Sequence, residues 1–295
     1  DAAIASSIPG YGLKVVDDSK MLSELVLLDL KTEEELRTSK KTEEEIRMQL
    51  NEVFEVMNQS ATEHLEKADK TEFRMIDGFA QKCHTYAKTK EPVVGSFLMD
   101  AMAMAFSTSE VNSTMGKIIA APTAGSSGIL PALMVSAKQR YQFDEETIQN
   151  GFLTSIGIGQ MIGKYATFAG AEGGCQAECG SASAMAAAAL VEMLGGTPTQ
   201  VLNAASITII NVLGLVCDPI AGLVQYPCTF RNASGVMNAM IAADIALAGV
   251  TSFVPFEEVV QAMGEVGNSL DESLRETGMG GLAGTKTGVR IRKKF

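Results

Sequence analysis

One glycine-rich stretch concentrates thiols and carboxylates in a region that is otherwise almost free of charge. Residues 169–180 read AGAEGGCQAECG and contain Glu172, Cys175, Glu178 and Cys179. Cys175 and Cys179 are four residues apart, so on a helix they would share a face. Thiolates bind soft metal ions, and positioned carboxylates can transfer protons. This stretch is therefore the first candidate for a metal-binding or catalytic site.

Two more cysteines follow, each beside a turn signal. Cys217 precedes an Asp-Pro pair, and Cys228 follows a Tyr-Pro pair. Their spacing matches no zinc pattern of two close pairs. Thiols held on loops at the end of a helical bundle could converge on a metal, but free cysteines that only fill space in a core are also common. Spacing alone leaves both interpretations open.

A turn of small residues, Thr123-Ala-Gly-Ser-Ser-Gly128, precedes a helix predicted from about Ile129. Such a turn exposes backbone N–H groups and hydroxyls at the start of a helix, where an anion is stabilised. The simpler interpretation is an ordinary helix cap in which Ser126 or Ser127 supplies the capping oxygen. The sequence therefore offers an anion site here, with a cap as the alternative.

The remaining motifs support neither a nucleotide site nor a hydrolase triad. Residues 278–283, GMGGLA, fit a loose dinucleotide fingerprint, but no strand is predicted before them. The sequence has only two histidines, which argues against a Ser/His/Asp triad. His64 is predicted on the surface of a helix. Cys83 and His84 are adjacent on another predicted helix and would point in different directions, so we do not expect them to share a metal.

The composition is that of an ordinary globular protein, with 46% hydrophobic and 20% charged residues in a chain of 295. A net charge of −11 argues against a nucleic-acid-binding role. The apolar runs at residues 201–217 and 236–254 are short or interrupted by polar residues, which favours buried helices over membrane spans. The first 30 residues show no signal-peptide pattern, so we expect a cytoplasmic chain with reduced thiols.

Charge is distributed unevenly along the chain. Residues 1–91 contain 32 charged side chains, whereas residues 147–256 contain only seven. We therefore predict an irregular segment at residues 1–31 and a single helical domain at residues 32–295. Charged outer helices would occupy about 32–91 and apolar core helices about 92–275. The fold is predicted to be mainly α, with few or no strands. Helices are predicted from Thr42, from Ile129, after Asp144, and at Thr71–Lys90, Pro92–Met104, Ala177–Leu194, Pro198–Leu213, Ala233–Gly249 and Phe256–Leu270.

Several of these motifs, taken together and in this order, resemble one known family. The chain from about Thr32 to Gly288 is similar to the α chain of the iron–sulfur-dependent L-serine dehydratases. The motifs that carry the resemblance are APTAGSSGILP at 121–131, GAEGGCQ at 170–176, CDPIAG at 217–222, YPCTFRN at 226–232 and ETGMGGLA at 276–283.

The resemblance implies a mainly helical catalytic domain that holds a [4Fe–4S] cluster through Cys175, Cys217 and Cys228. It implies conversion of L-serine to pyruvate and ammonia without pyridoxal phosphate. Single-chain relatives carry a second domain, so we expect a β chain as partner in a hetero-oligomer whose stoichiometry the sequence leaves open. Single-chain relatives also end in a cysteine that can fill the fourth iron position, whereas this sequence ends in Arg-Lys-Lys-Phe295. Cys179 is expected to be a bystander.

The same resemblance gives each remaining candidate an expected role. An iron with an open position would act as a Lewis acid on the serine hydroxyl. The serine carboxylate would bind the turn that contains the four substrate-binding candidates Thr123, Gly125, Ser126 and Ser127. Arg231 is expected to hold a carboxylate or tune the cluster, and Asn232 to do the same or cap a helix.

The base that removes the Cα proton is not fixed by the resemblance. Lys164 is a candidate because desolvation would favour its neutral amine, although an ion pair with a nearby carboxylate is the alternative. Glu172 and Glu178 are rival bases or outer-shell partners of the cluster ligands. Competing functions are a lyase for another β-substituted amino acid, such as a cysteine desulfidase, and a non-catalytic helical membrane or scaffold protein.

Overall fold

The computed structural model describes residues 41–68, 70 and 75–294, which fold into α-helices joined by short loops. No strand occurs in these ranges, which contain one isolated bridge between Cys217 and Arg275. The prediction of a mainly α fold is confirmed. The irregular segment predicted at residues 1–31 and the predicted start of the domain at Thr32 lie outside the described residues. Along the described chain, no helix is long and apolar enough to cross a membrane.

The helices are numbered here in chain order. They are α1 Glu43–Thr62, α2 Phe79–Thr89, α3 Gly95–Ser113, α4 Ile129–Tyr141, α5 Glu145–Tyr165, α6 Gly170–Cys175, α7 Ser181–Met193, α8 Pro198–Ile210, α9 Cys228–Leu247, α10 Phe256–Ser269 and α11 Lys286–Arg292. A π-helical turn, Gln176–Gly180, connects α6 to α7.

Three helix starts are confirmed together with their caps. Thr42 and Glu45 form a capping box at the start of α1. Asp144 accepts a hydrogen bond from the backbone N–H of Thr147 at the start of α5. Thr197 caps α8, where Pro198 occupies the first turn. These starts could be predicted because the capping residues lie within three positions of each helix end.

Other predicted boundaries are wrong, and two of the differences affect the site. The helix predicted at Pro92–Met104 begins at Gly95 and continues to Ser113. The helix predicted from Ala177 begins instead with the π-helical turn, so Cys179 lies in a widened turn. The helix predicted from Ala233 begins at Cys228. Cys228 is therefore the first residue of α9 and does not lie on a loop.

The core is centred on the small-residue helix α7. Its alanines are fully buried, and it packs against α4, α5, α8 and α9. Small side chains allow this close approach from several sides. Gly235 on α9 marks the tightest crossing, because a Cβ there would lie 2.5 Å from Ile129 Cδ1 and 2.9 Å from Ser183 Oγ.

Both histidines are buried in polar contacts within the outer helices. The prediction that His64 lies on the surface is wrong: it follows α1, is 1% exposed, and its Nδ1 lies 3.2 Å from Glu110 Oε2. Glu110 also accepts a hydrogen bond from the backbone N–H of Ala80 at 3.1 Å. His84 contacts Asp100 and Glu66 rather than Cys83. These contacts join α1, α2 and α3, and no cysteine takes part in them.

We expect Gly235→Ala to destabilise the chain, because its methyl group must displace Ile129 or Ser183 in a packed helix crossing. Overpacking of this kind costs about 1–3 kcal/mol. The measurement is the free energy of unfolding from denaturant titration of the full chain.

Gly264→Ala is the matched control for this substitution. Gly264 is also helical, but its nearest neighbours would lie 3.6 Å from the new methyl group. That substitution should be neutral or stabilise by about 0.4–1 kcal/mol, because alanine restricts the unfolded chain. Equal effects of the two substitutions would show that the crossing at Gly235 is not tightly packed.

Candidate active site

Two of the predicted cysteines and one carboxylate converge in the interior. The ligand atoms of Cys175, Glu178 and Cys217 all lie within 4.8 Å of one another, and the three residues are buried. Glu178 Oε2 is 3.9 Å from the Sγ atoms of both cysteines. Thiol and carboxylate ligands at these separations form a candidate metal site.

The backbone around Gly174 positions Cys175. Gly174 has a φ of 74°, which a residue with a side chain rarely adopts. A Cβ there would lie 2.7 Å from Leu270 Cδ1 and 2.8 Å from the carbonyl oxygen of Leu215. Gln176, which follows Cys175 and is fully buried, donates its backbone N–H to that carbonyl at 3.0 Å and its side-chain amide to the Met263 carbonyl at 3.0 Å. The glycine-rich stretch is therefore fixed against the segments at 214–216 and 263–270.

Cys217 lies in extended chain that pairs with the C-terminal segment. Its N–H donates to the carbonyl of Leu274 at 2.8 Å, and its carbonyl accepts from the N–H of Glu276 at 2.7 Å. The chain that follows α10 thus holds Cys217, which lies 57 residues before Leu274 in the sequence. Local sequence could not indicate this pairing.

Cys228 enters the same region from the start of α9. Its thiol is buried, and its carbonyl accepts a hydrogen bond from Asn232 Nδ2 at 2.8 Å. Burial raises the pKa of the Cys228 thiol, and the nearby charges of Cys175 and Glu178 act in the same direction. The three cysteines expected as cluster ligands therefore lie in one buried region.

Cys175 carries the thiol that ionises most readily. Hydrogen bonds from the thiols of Cys179 and Cys217 hold its pKa well below the usual value, and the positive charge of Arg231 acts in the same direction. The pKa values of the Cys179 and Cys217 thiols are correspondingly raised by the hydrogen bond to Cys175 and by burial. Metal binding requires thiolates, so a metal bound by Cys175 and Cys217 would displace the proton of the Cys217 thiol. Cys179, expected to be a bystander, lies beside the site.

Arg231 faces the thiols. Its Nη1 donates to Cys175 Sγ at 3.3 Å, and its Nη2 donates to Asp218 Oδ1 at 2.6 Å. The guanidinium is thus committed to a cysteine and a carboxylate of the same chain. Both expected contacts are therefore present: one N–H group reaches the expected cluster ligand Cys175, and another holds a carboxylate, that of Asp218.

The turn at 123–128 packs directly against Glu178. The Thr123 hydroxyl donates to Glu178 Oε1 at 2.8 Å and lies 3.1 Å from Ser126 Oγ. A Cβ at Gly125 would lie 3.0 Å from Glu178 Oε1, so this glycine allows the close approach. The Ser127 hydroxyl donates back to the Ala124 carbonyl at 2.8 Å. Thr123, Gly125 and Ser126 therefore face the carboxyl group, while Ser127 shapes the turn.

Asn232 joins the turn to α9. Its Oδ1 accepts from the N–H of Gly128 at 2.8 Å, and its Nδ2 donates to the Gly125 carbonyl at 2.7 Å as well as to Cys228. These three side-chain hydrogen bonds all go to backbone groups. Its position fixes the turn relative to Cys228.

Burial shapes the chemistry of Glu178. It raises the pKa of the carboxyl group to about 8, and the charge of Cys175 acts in the same direction. The hydrogen bond from Thr123 opposes this shift. The carboxyl group can therefore carry a proton near neutral pH in the metal-free chain.

Two of the three candidate bases lie outside this buried region. Lys164 is exposed at the end of α5, with Nζ 4.9 Å from the centroid of the Tyr165 ring. The expectation that it is desolvated is wrong, because α5 ends with its last turn facing solvent. Glu172 is also exposed, on the outer side of α6. Glu178 is the candidate base that the fold brings to the cysteines.

Glu276 borders the site, although no role was predicted for it. Glu276 is half-buried and has a φ of 63°, which is unusual for a residue with a side chain. Burial raises the pKa of its carboxyl group, followed by the charge of Cys175. A strained residue beside buried thiols indicates a functional segment. Only its presence in the ETGMGGLA motif pointed to this position.

Buried thiols and a buried carboxyl group with shifted pKa values, beside a partly buried arginine, are typical of functional sites, and clustered thiols of this kind bind metals. Residues 23–283 match the family described as serine dehydratase alpha chain. The chain belongs to this family. The resemblance seen in the motifs is thereby confirmed.

Individual relatives agree with the family match. The chain is 72% identical to the L-serine dehydratase, alpha chain, of Peptoniphilus asaccharolyticus over 269 residues, which cover 91% of this chain and 92% of that protein. It is 44% identical to the probable L-serine dehydratase, alpha chain, of Bacillus subtilis (strain 168) over 92% of this chain and 90% of that protein. L-serine dehydratase TdcG of Escherichia coli (strain K12) is 43% identical over 61% of this chain and 40% of that protein.

We expect Asn232→Ala to loosen the turn and destabilise the chain. The substitution leaves the N–H of Gly128 and the carbonyls of Gly125 and Cys228 without the side-chain partner. Buried groups left this way should cost about 2 kcal/mol or more in total. Denaturant titration measures the loss, and hydrogen exchange at Gly128 locates it.

Asn238→Ala is the control for Asn232→Ala. Asn238 lies on the same helix and donates to the Thr208 carbonyl at 2.9 Å, but it is only half-buried. Its replacement should cost less than about 1 kcal/mol and leave exchange at Gly128 unchanged. Unchanged exchange at Gly128 in Asn232→Ala would contradict the role given to Asn232.

Proposed function

We propose that this chain is the catalytic α chain of an L-serine dehydratase, which removes water from L-serine and releases pyruvate and ammonia. The family and the relatives named as L-serine dehydratases support this activity. The observation that carries it is the contact between the turn at 123–128 and the buried group of Cys175, Glu178 and Cys217. A site for a small anion thereby adjoins a site for a metal.

The residues present fit an iron–sulfur cluster. Cys175, Cys217 and Cys228 come from three separate segments. The Sγ atoms of Cys175 and Cys217 lie within 4.8 Å of each other, and the buried Cys228 is close enough for the charge of Cys175 to raise the pKa of its thiol. Thiolates are the usual ligands of such clusters. We propose that these three cysteines hold a [4Fe–4S] cluster and that Cys179 is not a ligand. When bound, the cluster would supply a Lewis acid for the hydroxyl group of serine.

The turn at 123–128 is proposed to bind the carboxylate of serine. Hydroxyls of Thr123 and Ser126 and the backbone at Gly125 lie beside Glu178. Ser127 and Asn232 support this binding indirectly, because their hydrogen bonds keep the turn in shape. Arg231 acts on the thiol of Cys175. Burial of Gly125, Ser126 and Glu178 limits the access of water, which strengthens polar contacts with the substrate.

Glu178 is proposed to take the proton from Cα of serine. One of its oxygens accepts a hydrogen bond from Thr123 in the turn, and the other lies against Cys175 and Cys217. The carboxyl group therefore lies between the proposed carboxylate site and the proposed cluster ligands. Lys164 and Glu172 are exposed, and we propose no step for them.

We further propose a β chain as partner and the cytoplasm as location. Relatives named as alpha chains support the partner, and so does the longer E. coli relative, of which this chain matches 40%. Co-purification of tagged α chain with a β chain tests the partnership. The five free cysteines of the described chain support a reducing compartment. Cell fractionation tests the location.

Substrate choice is tested by steady-state assays of the anaerobically purified α/β pair. Pyruvate formation from L-serine should exceed that from L-cysteine in kcat/KM. A preference for L-cysteine would overturn the proposed dehydratase in favour of a desulfidase.

We expect Cys175→Ala, Cys217→Ala and Cys228→Ala each to abolish cluster assembly in the α/β pair, because three ligands are required together. Iron content and visible absorption after anaerobic purification are the measurements. Cys83→Ala and Cys179→Ala are the controls and should retain both signals. The assignment of ligands is wrong if Cys179→Ala loses its iron while Cys228→Ala keeps it.

We expect Glu178→Gln to lower kcat by about 10²–10⁴-fold, the usual contribution of a positioned acid or base. Glutamine keeps the size of the side chain and an oxygen that can accept from Thr123, so iron content should stay unchanged. Glu192→Gln is the matched control, because burial also raises the pKa of Glu192 although it lies at the far end of α7. A kcat within threefold of the parent for Glu178→Gln would exclude Glu178 as the base.

A further inference from the structure

We propose that Asp218 and Arg231 form a positioning pair that couples the glycine loop, residues 278–284, to the cysteine site. The proposal rests on the proposed function for its catalytic meaning. Asp218 directly follows the expected ligand Cys217 in the sequence. Its two oxygens hold two other parts of the chain.

Asp218 bridges the loop and the arginine with separate oxygens. It is 3% exposed; Oδ1 accepts from Arg231 Nη2 at 2.6 Å, and Oδ2 accepts from the backbone N–H of Leu282 at 2.7 Å. Arg231 continues the connection, because its Nη1 donates to Cys175 Sγ at 3.3 Å. A continuous series of hydrogen bonds thus runs from the glycine loop to a cysteine of the site.

The chemistry of the pair suits a rigid connection. A buried guanidinium or carboxylate is costly unless it is paired, so each partner fixes the other. The planar guanidinium directs its N–H groups along set directions, and here one serves Asp218 while another serves Cys175. Lysine has a single ammonium group on a flexible stem and cannot hold both partners in this arrangement.

The glycine loop is shaped to approach Asp218. Gly281 has a φ of 54°, and a Cβ there would lie 2.3 Å from Asp218 Oδ2. Gly278 has a φ of 65°, and a Cβ there would lie 3.0 Å from the backbone nitrogen of Gly222. Both positions require glycine for conformation and for space. The motif GMGGLA, which fits no nucleotide site, is explained by this packing.

Other hydrogen bonds hold the opposite end of the loop. Gly280 donates its N–H to the Ser273 carbonyl at 2.9 Å, and Arg292 Nη1 donates to the Gly278 carbonyl at 3.1 Å. Loss of the Asp218 contact should therefore release the Leu282 end without unfolding the loop. The pair of Asp218 and Arg231 sets the position of Leu282 relative to Cys175, and thereby how well the loop shields the cysteine site from solvent.

The test uses the full chain in complex with its β chain. Asp218→Asn keeps the shape but replaces one accepting oxygen with an NH₂ group, so one of the two contacts must fail. If the contact with Leu282 is lost, we expect backbone hydrogen exchange at Leu282 to become at least tenfold faster. If the contact with Arg231 is lost, we expect the visible absorption to bleach in air several-fold faster. Arg231→Lys should accelerate both processes.

Gly281→Ala provides a second variant that leaves both charged partners in place. Its methyl group collides with Asp218, so it should also speed exchange at Leu282 and raise KM for serine more than it lowers kcat. In the double variant Asp218→Asn/Arg231→Lys, exchange at Leu282 and bleaching should be no faster than in the more severe single variant. The effects of substitutions within one hydrogen-bond network are not additive. Asp271→Asn, which changes an exposed carboxylate that caps the N–H of Ser273, should leave exchange at Leu282 and bleaching unchanged.

The outcomes separate this proposal from the proposed function. Parent-like exchange at Leu282 and parent-like bleaching in both Arg231→Lys and Gly281→Ala would overturn the coupling, even if Asp218→Asn fails to fold. If the parent α/β complex contained no iron and did not turn over serine, the proposed function would be overturned. Exchange at Leu282 would still report on the positioning pair in that case.

Discussion

The structure depends on burying several anion-forming side chains around one point. Four cysteines and Glu178 lie inside a core built largely from alanine. Burying such groups together is unfavourable unless protons, cations or hydrogen bonds compensate. Arg231 touches Cys175, neighbouring thiols share their protons with it, and Thr123 donates to Glu178. A positively charged metal centre would complete this compensation, which is why the site and the core have to be considered together.

The small residues of the core serve the same requirement. Helix α7 has buried alanines along its length, so α4, α5, α8 and α9 can all approach it. Glycine performs the corresponding task where backbones meet, at Gly174 beside Leu215 and at Gly235 beside Ile129. Larger side chains at these places would separate the segments that carry Cys175, Cys217 and Cys228. Close packing therefore determines the distances between the reactive groups.

The sequence allowed prediction of features whose cause is local or repeated in a recognisable motif. Caps such as Thr42 revealed helix starts, and the family motifs brought out the three cysteines now found in one region. Hydrophobic periodicity did not predict the helix boundaries in the core, because helices that are apolar on every side have no polar face to mark where they begin and end. The start of α9 was therefore placed too late. The predictions for Lys164 and His64 are wrong because the exposure of a side chain depends on contacts between distant segments, such as that of His64 with Glu110.

The true start of α9 explains how one helical turn organises the site. With Cys228 as the first helical residue, Arg231 and Asn232 follow at three and four positions, so all three lie on the same face. Cys228 brings a thiol, Arg231 reaches Cys175 and Asp218, and Asn232 holds the turn at 123–128. Had the helix begun at Ala233, helical geometry would not fix these three side chains relative to one another. The thiol of Cys228, the guanidinium of Arg231 and the turn at 123–128 are thus aligned by a single rigid element.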